Sequence, residues 1–184
     1  NWIKENRHIR KLKLIGNRRL SAALAIGSIF SAVSGFSIEI EYRGETWATD
    51  AYPNEVTPDF EARMEFRKGM TGSLVVVIGI MQGGLLQEVT EYSKRSKLAD
   101  ASRLDIISSH PILSPQHANQ AVKKIKLEIQ RVVALAEAKH IEFFLAGPSH
   151  LAVFLGHRLN STASIQCYER VRPGFYVPTC SLNA

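Results

Sequence analysis

The sequence predicts an α/β fold on a mostly parallel sheet, and three observations carry that prediction. Leu74-Val75-Val76-Val77-Ile78-Gly79-Ile80 is a continuous apolar run of the kind that parallel sheets bury on both faces. Ile141-Glu142-Phe143-Phe144-Leu145-Ala146 is a second strand-like run, ending at Gly147 and passing at once into an apolar helical pattern. Between them, residues 115–138 repeat Ala118, Ala121, Val122, Ile125, Ile129 and Val132 along one helical stripe.

In chain order, a helix is expected over 18–34, stopped by Ser34-Gly35, and a strand over 36–42, where Phe36-Ser37-Ile38-Glu39-Ile40-Glu41-Tyr42 alternates. Leu20 to Ile40 has the length of a membrane span, but five serines, two glycines and the change of period at Gly35 argue for a helix and then a strand. Trp47 falls in a polar connection. Pro53, Pro58 and the charged stretch Asp59 to Lys68 read as an insertion with at most a short helix. Strand 74–80 ends in Met81-Gln82-Gly83-Gly84, and a helix follows to about Arg95. Residues 104–108 read as a short strand leading to His110-Pro111, and Ser114 precedes the long helix. Strand 141–146 is followed by helix 148–159, with Pro148 suited to the first helical position and Ser149 nearby as a cap. Strand 164–168 and an extended tail complete the chain.

The 184 residues, 45% of them hydrophobic, suffice for one packed domain or two small α/β halves sharing a core. The net charge of +6 favours a polyanionic partner. Cys167 and Cys180 lack metal-type spacing, so a reduced, cytosolic protein is the simple reading. Residues 1–17 are rich in Lys and Arg and read as a linker from an upstream domain, or else as an exposed basic helix. The apolar stretch has no cleavage-site pattern after it, so no secretory signal is expected.

Motifs for catalysis are missing: there is no P-loop, G-x-G-x-x-G, H-E-x-x-H or paired-cysteine pattern. His150 and His157 share a helix face without a third ligand, so no metal site and no cofactor are expected. Ligand binding is better motivated. A strand entering a helix through Gly147-Pro148-Ser149-His150 leaves backbone N–H groups unpaired at the carboxyl edge of a sheet, where the helix dipole strengthens an anion site. Gln82-Gly83-Gly84 makes a similar turn. Gln82 and Ser149 would add hydrogen bonds, although glycines there also serve simply as tight turns. Trp47 would stack on a purine or pack over a sheet edge. Tyr168, Glu169, Arg170, Arg172 and Tyr176 form an aromatic and basic cluster able to meet bases and phosphates, or a solvated terminal hairpin. The lysines of helix 115–138 read as a solvated face.

The segment from Ile141 through Gly147-Pro148-Ser149-His150 to Asn160, continued through Ser164-Ile165-Gln166-Cys167-Tyr168-Glu169 to Tyr176-Val177-Pro178, resembles the C-terminal half of a SAVED domain. Ala25 to Phe36, the strand after it and Trp47-Ala48-Thr49-Asp50 resemble that family's opening helix and strand. The resemblance covers residues 18–184. It implies two fused CARF-like, Rossmann-like halves with mostly parallel central sheets. Such a sensor of CBASS antiphage effectors would bind a cyclic di- or trinucleotide, cyclic GMP-AMP type favoured, made by a partner nucleotidyltransferase. Binding would drive self-association and activate a fused upstream effector, an HNH endonuclease by analogy, in the cytoplasm and without a membrane. The ligand-binding residues implied are Trp47, Gln82, Gly83, Pro148, Ser149, His150, Tyr168, Glu169, Arg170, Arg172 and Tyr176. Two other readings stay open. One is a small Rossmann-like enzyme acting on a nucleotide or degrading its cyclic ligand, with His150 and Ser149 as its reactive groups. The other is a basic nucleic-acid-binding module.

Overall fold

The computed structural model describes residues 9–160 and 162–182. Strands β1 (Lys11–Leu14), β2 (Ser37–Tyr42) and β3 (Glu45–Ala48) form a three-stranded sheet, with β1 parallel and β3 antiparallel to β2. Helix α1 (Leu20–Ile29) links β1 to β2 and is followed by a 3-10 turn at Ala32–Ser34. The expected helix 18–34 is therefore shorter: Phe30 leaves helical geometry at ψ 57° and Ser31 is extended. Of the basic segment 1–17, residues 1–8 lie outside the described residues and Lys11–Leu14 is β1, whose Lys11 pairs with Glu39 of β2 at 2.7 Å. Residues 161, 183 and 184 of the domain expected over 18–184 also lie outside the described residues.

The second sheet has six strands: β4 (Arg63–Arg67), β5 (Ser73–Ile80), β6 (Ser102–Ser108), β7 (His140–Ala146), β8 (Ser164–Arg172) and β9 (Phe175–Leu182), in the order β4-β6-β5-β7-β8-β9. The four central strands are parallel, and β4 and β9 are antiparallel edges. The α/β class and the mostly parallel sheet stand as expected, in two sheets of unequal size. Strand β4 replaces the expected loop or short helix. Its Arg63-Met64-Glu65-Phe66-Arg67 turns charges outward and apolar groups inward with a period of two, as a half-buried edge strand does. The extended tail is β9, which closes a hairpin on β8.

Helices α2 (Leu85–Lys94), α3 (Pro115–Ala136) and α4 (Ser149–Arg158) complete the chain. Ser114 caps α3 by accepting from the His117 N–H, and Pro115 occupies the first turn. In α4 the expected assignment shifts by one: Pro148 is the extended N-cap and Ser149 the first helical residue, with no side-chain cap.

Side chains alternate across the sheet. Leu74, Val76 and Ile78 of β5 and Phe143 of β7 face α1, α3, α4 and the small sheet, whereas Val75, Val77 and Phe144 face α2. The chain leaves β5 through α2 toward β6, and leaves β7 through α4 toward β8. These connections diverge over opposite faces, so a crevice opens between the carboxyl ends of β5 and β7. The glycine turns after these two strands thus belong to neighbouring strands of one sheet.

Candidate functional site

A cleft of about 660 Å³ fills that crevice, within the size range of small-molecule sites. Its base is Ile80 at the end of β5 with Met81 and Gln82 after it, beside Gly147 and Pro148 after β7. The register Gly79↔Ala146 sets these turns side by side. The loop between β6 and α3 supplies Pro111, Ile112 and Leu113. The opposite wall comes from the small sheet: Tyr42, Arg43, Glu45 and Trp47.

That wall is placed by a two-residue hairpin. Arg43 and Gly44 have φ of 53° and 80°, the left-handed pair that a type I′ turn requires. The turn pairs Tyr42 with Glu45 and Ile40 with Trp47. Trp47 therefore sits in a strand and is 3% exposed, which corrects the polar-loop placement: pairing with β2 turns its ring into the core. Tyr42 and Trp47 each approach the His150 ring at a centroid distance of 4.3 Å, and the Arg43 guanidinium lies 5.2 Å from the Tyr42 ring.

His150 is 2% exposed, and among the described residues neither of its ring nitrogens has a hydrogen-bond partner; nor has the Trp47 indole N–H. Burial, reinforced by the positive charge of Arg43, pushes the His150 imidazole down to about 4. The ring is neutral at neutral pH and carries one donor and one acceptor. Buried polar atoms are nearly always satisfied by protein, water or ligand, and the described side chains supply no partner to these three nitrogens behind the cleft wall. Two features suit an anion. The first turn of α4 has no side-chain cap, nor does α2, whose N-cap is Gly84. Arg43 stands at the rim. Met81, beside Gln82, holds a left-handed φ of 57°, rare for a side-chain-bearing residue and a form of strain found at functional sites.

Of the residues singled out from sequence, Trp47, Gln82, Pro148 and His150 meet in this cleft. Gly83 follows Gln82 just beyond the lining, and Ser149 opens α4 without lining the cleft. The hairpin residues do not line it, because β8 and β9 lie beyond β7 while the cleft lies between β5 and β7. Tyr168, Glu169, Arg170, Arg172 and Tyr176 therefore lie outside this cleft. Tyr168 stacks on Phe144 with centroids 4.5 Å apart and planes at 13°, its phenol raised by burial. Glu169 accepts from the Ser21 N–H and hydroxyl, at 3.1 and 2.6 Å. Arg170 makes a two-pronged pair with Glu88, both bonds at 2.7 Å, and the Tyr176 hydroxyl donates to the same carboxylate at 3.2 Å. The Arg172 guanidinium lies 5.1 Å from the Phe175 ring.

Tyr42, Arg43 and Glu45 were missed from sequence, because Arg-Gly is not among the dipeptides that mark a two-residue hairpin and only Gly44 hints at a turn. Among the described residues no group of His, Cys, Asp and Glu is arranged to hold a metal, and no helix is long and apolar enough to cross a membrane.

Comparison with known proteins accords with this architecture. The family model for the SMODS-associated and fused to various effectors sensor domain, SAVED, matches residues 1–182. CD-NTase-associated protein 4 of Moraxella osloensis is 30% identical over 174 residues, covering 95% of this chain and 37% of the relative. The protein of the same name from Acinetobacter sp. (strain ATCC 27244 / 9458) has the same identity and coverage. The Acinetobacter baumannii Cap4 SAVED/CARF-domain containing receptor with the cyclic trinucleotide 3'3'3'-cAAA superposes with a TM-score of 0.85 at 29% identity, over 100% of this chain and 40% of that one. The Moraxella osloensis Cap4 receptor gives 0.74 at 30% identity, over 99% and 39%. The chain thus spans about two-fifths of the length of these relatives. With the family model covering all but its last two residues, the chain belongs to the SAVED family of sensor domains.

Proposed function

We propose that this chain senses a cyclic oligonucleotide, bound in the cleft between β5, β7 and the β2–β3 hairpin. The observation that carries the reading is the convergence at one switch point of Arg43, the uncapped start of α4 and the Tyr42–Trp47–His150 rings. Phosphates would meet Arg43 and the first-turn N–H groups of α4, and a base would lie against the half-buried Tyr42 ring at the cleft wall. The Acinetobacter baumannii receptors hold 3'3'3'- and 2'3'3'-cAAA, which favours a cyclic trinucleotide over a cyclic GMP-AMP type. The names of the relatives support a partner nucleotidyltransferase and a CBASS setting. In the longer protein, ligand binding would favour self-association and so activate a fused effector, an endonuclease by analogy. The shift can be no larger than the ligand's preference for the assembled state.

Calorimetric titration with 3'3'3'-cAAA, 2'3'3'-cAAA, cyclic GMP-AMP and linear tri-adenylate tests this. The expected result is saturable binding of a cyclic trinucleotide that Arg43→Asn weakens. Absence of binding by every cyclic species, together with salt-sensitive binding to ordinary DNA, would overturn it in favour of a nucleic-acid module.

A further inference from the structure

Helix α4 joins the cleft to a second cavity. Its first turn faces the cleft, while its last residue, Arg158, lines a cavity of about 570 Å³ together with Tyr52, Asn119, Lys123 and Lys126. Ten helical residues set the two openings roughly 15 Å apart along the axis.

Three cations line this cavity, and among the described residues no carboxylate does. Arg158 donates to the Thr49 carbonyl at 3.1 Å and toward the Asn119 amide oxygen at 3.5 Å, and its guanidinium lies 5.5 Å from the Tyr52 ring. Its buried Nε–H has no hydrogen-bond partner among the described residues. Lys126 donates to the Asn160 side chain, a neutral amide. Burial, and then the charge of Arg158, hold the Lys126 ammonium below the ordinary lysine value. Elsewhere on α3 cations are neutralised: Lys124 meets Asp59 at 3.4 Å and the Arg131 Nε–H meets Glu128 at 2.8 Å. The dipole at the end of α4 accounts for Arg158 but not for Lys123 and Lys126, which come from the middle of another helix. Among the described residues no carboxylate pairs with Lys126 or Arg158, two cations held together in a partly desolvated cavity.

We propose that this cavity is a second anion site, taking the phosphate of a mononucleotide-sized phosphate ester whose aromatic base lies against Tyr52. Guanidinium and ammonium donors suit phosphate oxygens, Tyr52 is 67% exposed and offers a stacking face, and the volume fits a mononucleotide. The proposal does not depend on what occupies the cleft.

The test follows the Arg158 Nε–Hε and Tyr52 ring resonances of the chain while AMP or adenosine is added. AMP should give saturable shifts at both residues, in the parent and equally in Arg43→Asn, and adenosine should give none. The double variant Lys123→Gln/Lys126→Gln should weaken AMP about tenfold or more. Without ligand it should melt at or above the parent temperature, because the cation pair is relieved. Equal shifts with adenosine, unsaturable shifts spread over all surface lysines, unaltered AMP affinity in the double variant, or its melting well below the parent would each overturn the proposal.

Discussion

Gly27 of α1 and Gly156 of α4 meet backbone to backbone where the two helices cross. A Cβ on Gly156 would lie 1.9 Å from the Leu24 carbonyl oxygen, and one on Gly27 would lie 2.2 Å from that of Val153. Backbone cannot yield as a flexible side chain does, so the helices would have to part. Gly156→Ala should destabilise the chain by about 1–3 kcal/mol in urea denaturation, as other overpacked sites do. Gly83→Ala, where a Cβ meets nothing within 4 Å, should stay within about 0.5 kcal/mol.

Lowering the pH should expose His150. Its ordinary value of 6.5 falls to about 4 in the fold. Between these values the unfolded chain takes up a proton that the folded chain refuses, so stability is intact above about 6.5 and falls as the pH drops toward 4. The loss is on the order of 3 kcal/mol. His117 and His157 are also lowered by burial and act with the same sign, so the measurement is a difference. The pH–stability curve of His150→Phe should be flatter than that of the parent, and equal slopes would exclude His150 as a source.

Arg43→Asn separates charge from conformation. Asn-Gly is the favoured dipeptide of the type I′ turn that Arg43-Gly44 forms, so the hairpin should keep or gain stability. Affinity for the cyclic ligand should fall by about 1.5–3 kcal/mol, the range for a hydrogen bond to a charged group. Calorimetry of binding and a thermal melt of the same sample read the two effects independently.

Glu88 should behave as a structural hub. It accepts from Arg170, from the Gly174 N–H at 3.2 Å and from the Tyr176 hydroxyl, and these donors hold its carboxyl below the usual range. Glu88→Ala should cost about 1–2 kcal/mol, because it strips three donors at once. Arg170→Ala should cost less than about 1 kcal/mol, since the pair is half in water. Neither should change cyclic-ligand affinity, and a large loss in Arg170→Ala would return the hairpin to the binding site.

Legibility in the sequence followed element length. Leu74–Ile80, the run after Ile141 and the stripe of α3 each carry enough apolar residues to declare their period, and Ser114-Pro115 marks a helix start. Strands β3 and β4 hold four and five residues, with their apolar positions scattered among charged and polar ones. Their burial is decided by partners far away in the chain, which local pattern does not encode. In the site, the turns at Gln82 and Gly147-Pro148-Ser149 could be read because a strand-to-helix exchange is local. That His150 would lie between Tyr42 and Trp47 could not, because it depends on how α4 packs against another sheet. The same limit explains the hairpin cluster: Tyr168, Arg170 and Tyr176 have the chemistry of a nucleotide site, but Phe144 and Glu88 had already engaged them.

The two walls of the cleft belong to different sheets, and the three-stranded one shares no strand with the six-stranded one. The site therefore works like a pair of jaws whose gap is set by how the small sheet seats on the large one. Anything that reseats it, by a fraction of the width of a side chain, would change the fit of the proposed ligand without touching a single lining residue.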